Sequence, residues 1–335
     1  MIADDPEFRA LRHYAAEIGA DPALVQAAGG NVSLKRGGVL WVKASGTWLA
    51  NAERADIFVP VRLEPLLAAM HADAAEDTSP FVLTALNRSG LRPSIETTLH
   101  GVLPHPVVVH VHCVETMAWA ARADAPTVLA PLLAGLRWVF VPYVRPGAPL
   151  TRAILDVLVP GTDVIVLGNP GLVVGGADTA AAAALVAEVA GRLRRPARPA
   201  PPPDLSALAA LAEGTAYRPA DDPAAHGTAT DPLALGVAGV GSLYPDHVIF
   251  LGPGIVTRPP GVENTPMLVV PGAGVLVHRG ASSGVAPLAR CLADVCARLD
   301  PSEPIVALTA AQEGELLGWD AEKYRQALNA TPAAR

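Results

Sequence analysis

Pro106 to Cys113 reads PVVVHVHC. The β-branched side chains of Val107, Val108, Val109 and Val111 are stiff at χ1 and suit a pleated surface, so this run is a strand. Side chains alternate across a strand, so His110 and His112, two residues apart, point the same way and can both meet one metal ion. The competing reading is a pair of ordinary core or surface histidines. The run alone does not separate the two.

Ten residues upstream, Ser94-Ile95-Glu96-Thr97-Thr98-Leu99-His100 has the form of a helix start with Ser94 as its cap. Glu96 and His100, at i and i+4, then share one helix face. A carboxylate near a metal is a ligand or a base, and away from one it is a solvated contact. Further upstream, Gly29-Gly30-Asn31-Val32-Ser33 brings a glycine pair and an asparagine into a strand. Glycines let backbone amides approach an anion, and the asparagine adds a side-chain donor; a tight turn is the plainer reading. Ala44-Ser45-Gly46-Thr47, a polar turn directly after a strand, carries the same two readings.

Around these motifs the spacing predicts a mixed α/β chain. Helical periodicity marks 5–19, 62–72, 80–88, 94–101, 115–123, 149–158 and 177–193. Strands are expected at 32–35 and 39–43 around Arg36-Gly37-Gly38, at 106–113, and at 163–167 and 172–174 around Gly168-Asn169-Pro170-Gly171. Arg194 to Asp204, RRPARPAPPPD, forms neither helix nor central strand. It divides the chain into a first domain at 1–195, a Pro-rich linker at 196–203 and a second domain at 204–335. In the second domain, strands are expected at 247–251 and 267–277 with Pro271-Gly272 as a turn, and helices at 204–213, 284–299 and 312–328.

The 335 residues are enough for about two domains. With 51% apolar residues and a mean hydropathy of +0.33, the chain can bury a core and is not disordered. No unbroken apolar run is long enough to span a membrane, and the acidic, amphipathic N-terminus is unlike a secretory signal, so a cytoplasmic protein is expected. A net charge of −7 argues against a nucleic-acid partner. Cys113, Cys291 and Cys296, without a CxxC, read as reduced and mostly buried thiols. Of 25 basic residues only Lys35, Lys43 and Lys323 are lysines. That scarcity fits metal chemistry better than Schiff-base chemistry, which needs a desolvated lysine.

The order GGNVS, KASG, PSIETTLH, HVH and then a glycine-rich hairpin resembles the class II aldolase/adducin family over residues 8–192. The C-terminal stretches LYPDHVIFLGPG and WDAEKYRQALN look like the part that follows the aldolase module in bifunctional rhamnulose-phosphate aldolase/short-chain alcohol dehydrogenase proteins, although the chain contains no GxGxxG run. The resemblance implies a three-layer α/β fold, a central mainly antiparallel sheet flanked by helices, with a smaller α/β domain after it. It implies an aldehyde-lyase that cleaves a ketose or ketose phosphate through a metal-stabilised enediolate. His110 and His112 match two of three histidines that hold a divalent ion, usually Zn2+. Glu96 matches the carboxylate that exchanges a substrate proton, and Tyr143 a proton donor that reaches a neighbouring subunit's site in a tetramer. Gly30, Asn31, Ser45, Gly46 and Ser94 match the pocket for the substrate's phosphate or its substitute.

Two positions depart from that pattern. The third metal-binding histidine of the family sits in an N-H-G motif, and here the residues are Asn169-Pro170-Gly171. Proline cannot bind a metal, so either His105, His226 or His247 completes the site or it stays open. Ile95 stands where phosphate-binding members often carry serine, which weakens the phosphate grip or signals an unphosphorylated substrate. Arg145, two residues beyond Tyr143, pairs with a substrate anion or with a neighbouring acid. His247, beside Asp246, is a site residue or a structural one. The readings in play are an aldolase, an epimerase or decarboxylase on the same scaffold, and a binding or assembly protein that has lost catalysis.

Overall fold

Asp5 begins the first helix: its carboxylate accepts from the Glu7 and Phe8 amides at 2.9 and 3.3 Å, and Pro6 follows it. Such a cap and a proline in the first turn both favour a helix start. α1 runs Pro6–Ala20 and buries Phe8, Leu11, Ala15 and Ile18 along one stripe. The computed structural model describes residues 2–168, 171–257 and 265–330. After α1 come β1 (Asn31–Arg36), β2 (Val39–Lys43), β3 (Phe58–Arg62), α2 (Leu63–His71), α3 (Thr97–Val102) and β4 (Val107–Val111). Then follow α4 (Val114–Ala120), α5 (Ala125–Leu132), β5 (Trp138–Val141), α6 (Ala148–Val157), β6 (Val164–Leu167), β7 (Gly171–Gly176) and α7 (Thr179–Arg192).

The seven strands make one sheet in the order β3-β2-β1-β4-β7-β6-β5, flanked by helices in the three-layer arrangement that the resemblance implies. Five of its pairings are antiparallel, and β5–β6 is parallel with α6 as its crossover. β4 lies at the centre with all five residues buried. Its register sets Asn31 opposite His110 and Ser33 opposite Val108 on one side, and Val173 opposite His110 on the other. Under α3 and α6 a core of Leu99, Leu103, Val108, Leu150, Ile154, Ile165 and Val173 closes that face. Thr98 and Thr151 join the two helices through their hydroxyls at 2.8 Å.

Two compact units are present: residues 1–113 with 130–192, and residues 114–129 with 193–335. The second contains α8 (Leu205–Ala212), β8 (Tyr217–Pro219), α9 (Gly227–Thr230), α10 (Pro232–Ala238), β9 (Met267–Val270), β10 (Gly274–His278), α11 (Val285–Cys296), α12 (Ala310–Gly318) and α13 (Asp320–Asn329). Its sheet is antiparallel in the order β8-β10-β9. Within this unit the Pro-rich stretch is tied down by its arginines. Arg195 reaches both oxygens of Glu303 at 2.8 and 2.9 Å, and Arg198 reaches Asp231 at 3.0 Å and the Cys296 carbonyl at 2.8 Å.

Three expectations are corrected. Residues 80–88 are not a helix. After one tight turn at Ser79–Phe81 the chain bonds the outer edge of β3, with Val82 bridged to Val61 and the Leu83 amide on the Pro60 carbonyl at 2.9 Å. His247–Leu251 is a wide helical turn, not a strand. All five side chains are buried, and an apolar run of that length is compatible with either conformation. The segment 312–328 is two helices. Thr309 and Gln312 form a capping box that starts α12, and Trp319, extended at ψ 126°, separates it from α13. β3, β5, β8 and α5 were not signalled by the spacing. Among the described residues no helix is long and apolar enough to cross a membrane.

Candidate active site

The GGN turn and the HVH strand are built against each other. A Cβ on Gly29 would stand 2.7 Å from Nδ1 of His112, and one on Gly30, at φ +66°, 3.1 Å from the His110 carbonyl oxygen. Gly171, at φ +120°, closes from the other side, because a Cβ there would meet the Val111 carbonyl at 2.5 Å. Glycine is required wherever backbone approaches backbone this closely. Lys43, buried, donates from Nζ to the Ala28 and Gly30 carbonyls, both at 2.9 Å, and so pins the turn from beneath. Gln26 donates to the His112 carbonyl at 3.2 Å and fixes the strand's exit.

His110 is fully buried. A carbonyl oxygen can only accept, so Nδ1 of His110 donates to Leu172 at 3.1 Å and Nε2 is the nitrogen turned to the site. That nitrogen lies 3.5 Å from Oε1 of Glu96. His112 follows the strand's last residue, half-buried, with its ring centroid 5.0 Å from that of His110. Fixing the tautomer through the distal nitrogen is how proteins prepare a metal-binding imidazole.

Glu96 is the N-cap of α3. The Ser94 hydroxyl accepts from the Glu96 amide at 3.1 Å, and the Thr97 amide bonds the Ser94 carbonyl at 3.1 Å. Ser94 therefore shapes the turn that presents Glu96, two residues before the cap and not at it as expected. His100, four residues on, is fully buried and bonds Ser33 on β1 through Nδ1 at 2.8 Å. Burial holds its ring well below the usual histidine range, and the nearby His110, Lys35 and Lys43 add to the effect. The Ser33 contact ties the first turn of α3, and Glu96 with it, to the strand that pairs with His110.

Asn31 is 1% exposed, and neither its side-chain oxygen nor its nitrogen has a hydrogen-bond partner among the described residues. Nε2 of His100 is buried in the same condition. Buried polar groups are rarely left open in this way, and each such group costs roughly 1–3 kcal/mol unless something fills the space. Ser45 and Ser94 come together through crossed backbone bonds, the Ser45 amide to the Arg92 carbonyl at 3.0 Å and the Ser94 amide to the Lys43 carbonyl at 3.1 Å. Gly46, buried at φ +74°, completes that turn.

Tyr143 follows β5, where its amide nitrogen lies 2.9 Å from the place a Cβ on Gly168 would take. Arg145 pairs with Glu76 at 2.8 Å. The alternatives for a third ligand are engaged elsewhere. His105 bonds Asp163 at 2.9 Å, before the start of β4. His226 uses one ring nitrogen on the Ala220 carbonyl and the other on the Val275 amide. His247 is held likewise by the Leu243 amide and the Gly254 carbonyl. Asn169 and Pro170 lie outside the described residues. His110 and His112 fit a divalent ion as a pair of imidazole donors, but among the described residues no group of three His, Cys, Asp or Glu stands close enough to hold one. Sequence reading passed over Gln26 and Ser33 and left Lys43 without a role; only Lys43, a rare lysine ending a strand beside the KASG turn, carried a signal.

Residues 11–194 match the family described as Class II Aldolase and Adducin N-terminal domain. The chain belongs to this family. The N-terminal class II aldolase domain of a conserved protein from Thermoplasma acidophilum is 28% identical, with a TM-score of 0.50 over 56% of this chain and 92% of that one. An L-fuculose-1-phosphate aldolase from Thermus thermophilus is 16% identical, with a TM-score of 0.40 over 56% of this chain and 90% of that one. A curated Bacillus subtilis (strain 168) protein, "Uncharacterized oxidoreductase YuxG", is 32% identical over 173 residues, 48% of this chain. The matched stretch is only 25% of that relative's length. The chain therefore spans only part of the length of that relative.

Proposed function

We propose that the chain is a metal-dependent class II aldolase, an aldehyde-lyase that cleaves a ketose or ketose phosphate reversibly. The observation that carries this reading is the meeting, at one end of β4, of His110 and His112 with Glu96 3.5 Å from His110 and with the open amide of Asn31. His110 and His112 would hold the divalent ion, Zn2+ by the affinity of imidazole for it, and when bound the ion supplies Lewis-acid stabilisation of charge on the substrate's carbonyl oxygen. The backbone at Gly30 and Gly46 with the side chains of Asn31, Ser45 and Ser94 binds the substrate's phosphate or the polar group in its place. In the cleavage direction Tyr143 takes the proton from the hydroxyl beside the breaking bond. The C–C electron pair passes to the ketone fragment, and Glu96 returns a proton to its carbon. Tyr143 does this in the site of a neighbouring subunit, which makes the working form a homo-oligomer, a tetramer, in the cytoplasm.

The test is a screen of ketoses and ketose phosphates for aldehyde release, run on the wild type, Glu96→Gln and Lys43→Ala with and without a chelator. Chelator-sensitive release lost in Glu96→Gln supports the reading. Release indifferent to the chelator and abolished in Lys43→Ala contradicts it. That no third donor joins His110 and His112 among the described residues favours one other reading, a binding or assembly protein on the same scaffold. That reading gains if no aldehyde is released and Pro170→His restores both metal binding and release. Product analysis separates an epimerase or decarboxylase.

A further inference from the structure

The strand that carries His110 at one end opens onto a separate cavity at the other. It has a volume of about 570 Å³, within the ordinary range of small-ligand sites. Small residues make the space: Gly176 and Ala177 at the end of β7, and Ala181 and Ala184 on α7. One wall is the apolar face of α7, Ala181, Ala184 and Leu185, set one turn apart.

The facing wall is polar and fixed. Asp163 accepts from Nε2 of His105 at 2.9 Å and from Nε and Nη2 of Arg137, the former at 2.8 Å. His105 and Asp163 are largely buried, whereas Arg137 is two-thirds exposed. A guanidinium has two donor edges. Asp163 occupies the one formed by Nε and Nη2, which leaves the end-on edge of Nη1 and Nη2 with no protein acceptor among the described residues. Gly161, at φ +86°, makes room there, since a Cβ would stand 3.0 Å from Nη1. The two carboxylates of the lining already have cations: Asp163 has Arg137, and Glu188 has Arg192 at 2.6 Å. The cavity therefore offers the outward N–H donors of a guanidinium that Asp163 orients, opposite an apolar wall.

We propose that this cavity is a second small-molecule site that takes a small organic anion with a compact apolar body. Its carboxylate lies on the end-on edge of Arg137, and its body lies on Ala181, Ala184 and Leu185. The site is independent of the chemistry at His110. Four residue steps separate Pro106, in the cavity lining, from His110, a span of about 14 Å at roughly 3.4 Å per residue.

The probe is benzoate, titrated into the full chain by calorimetry. Binding to the wild type saturates with a dissociation constant on the order of 1 mM, and Arg137→Gln weakens it at least about tenfold. Ala184→Phe, which fills the cavity, has the same effect, and the melting temperature of each variant shows that the fold persists. If Ala184→Phe does not fold, Arg137→Gln decides, because an exposed side chain can be shortened without disturbing the core. Asn31→Asp, at the far end of the sheet, leaves benzoate binding unchanged. No saturable binding to the wild type overturns the proposal and leaves Arg137–Asp163–His105 as a clamp on three strand starts. Binding that survives Arg137→Gln, or is lost in Asn31→Asp, overturns it as well.

Discussion

Fully buried histidines occur in both units, and they are held in opposite ways. His247, in the second unit, gives both ring nitrogens to backbone groups within its own loop, and His226 does the same between the Ala220 carbonyl and the Val275 amide. In the first unit, His100 on α3 has one nitrogen on Ser33 and the other open, and Asn31, two residues before Ser33 on the same face of β1, has its whole amide open. Burial is equal; saturation is not. A polar group closed on its own backbone is spent on the fold, whereas open groups gathered on one sheet face mark a place where something else must bind.

The contrast predicts that substitutions in the two regions fail differently. At the strand end the loss is in function. His112→Ala, at a half-buried position, lowers activity about a thousandfold or more while leaving most of the fold stability, as initial rates set beside urea unfolding will show. In the second unit the loss is in stability. His247→Ala opens a cavity and removes the ring's bonds to the Leu243 amide and the Gly254 carbonyl, costing about 3 kcal/mol, with the rate per folded molecule unchanged.

The fold was legible where local chemistry and burial agree. The Pro106–Cys113 run and the Arg36-Gly37-Gly38 hairpin each combine a pattern with a boundary signal, and the helix at 5–19 shows in its apolar spacing. β3 carried no such signal, because Phe58–Arg62 contains a proline. His247–Leu251 misled because a wholly buried run loses the alternation that separates strand from helix. At the site, the motif residues were readable by type and spacing. The supports were not: Gln26, Ser33 and Lys43 act through backbone carbonyls or a single hydroxyl, contacts that only the folded register creates.

A pH series sharpens the same comparison. Burial pushes the folded-state value of His247 down to about 4, below its ordinary 6.5, and His226 is lowered too. The unfolded chain therefore binds protons that the folded one refuses. Stability is full above pH ~6.5 and falls as pH drops below it, by up to about 1.4 kcal/mol per pH unit for each such histidine, down to the folded-state value. Urea midpoints at pH 7.5 and 5 measure this, and His247→Gln shows a shallower slope.

The smallest effect has the opposite sign. Asn31→Ala removes a buried amide that has no protein partner among the described residues, so the empty protein keeps its stability or gains about 1 kcal/mol while substrate binding weakens. Equal losses of stability and binding would mean that Asn31 belongs to the fold, as His226 and His247 do.

The most direct test of the central claim is calorimetric titration of Zn2+ into the apo protein, purified without an affinity tag, beside the His110→Ala variant. Saturation near one equivalent is expected in the wild type, and its loss in the variant. Absence of binding in the wild type, or binding that His110→Ala leaves intact, would contradict that claim.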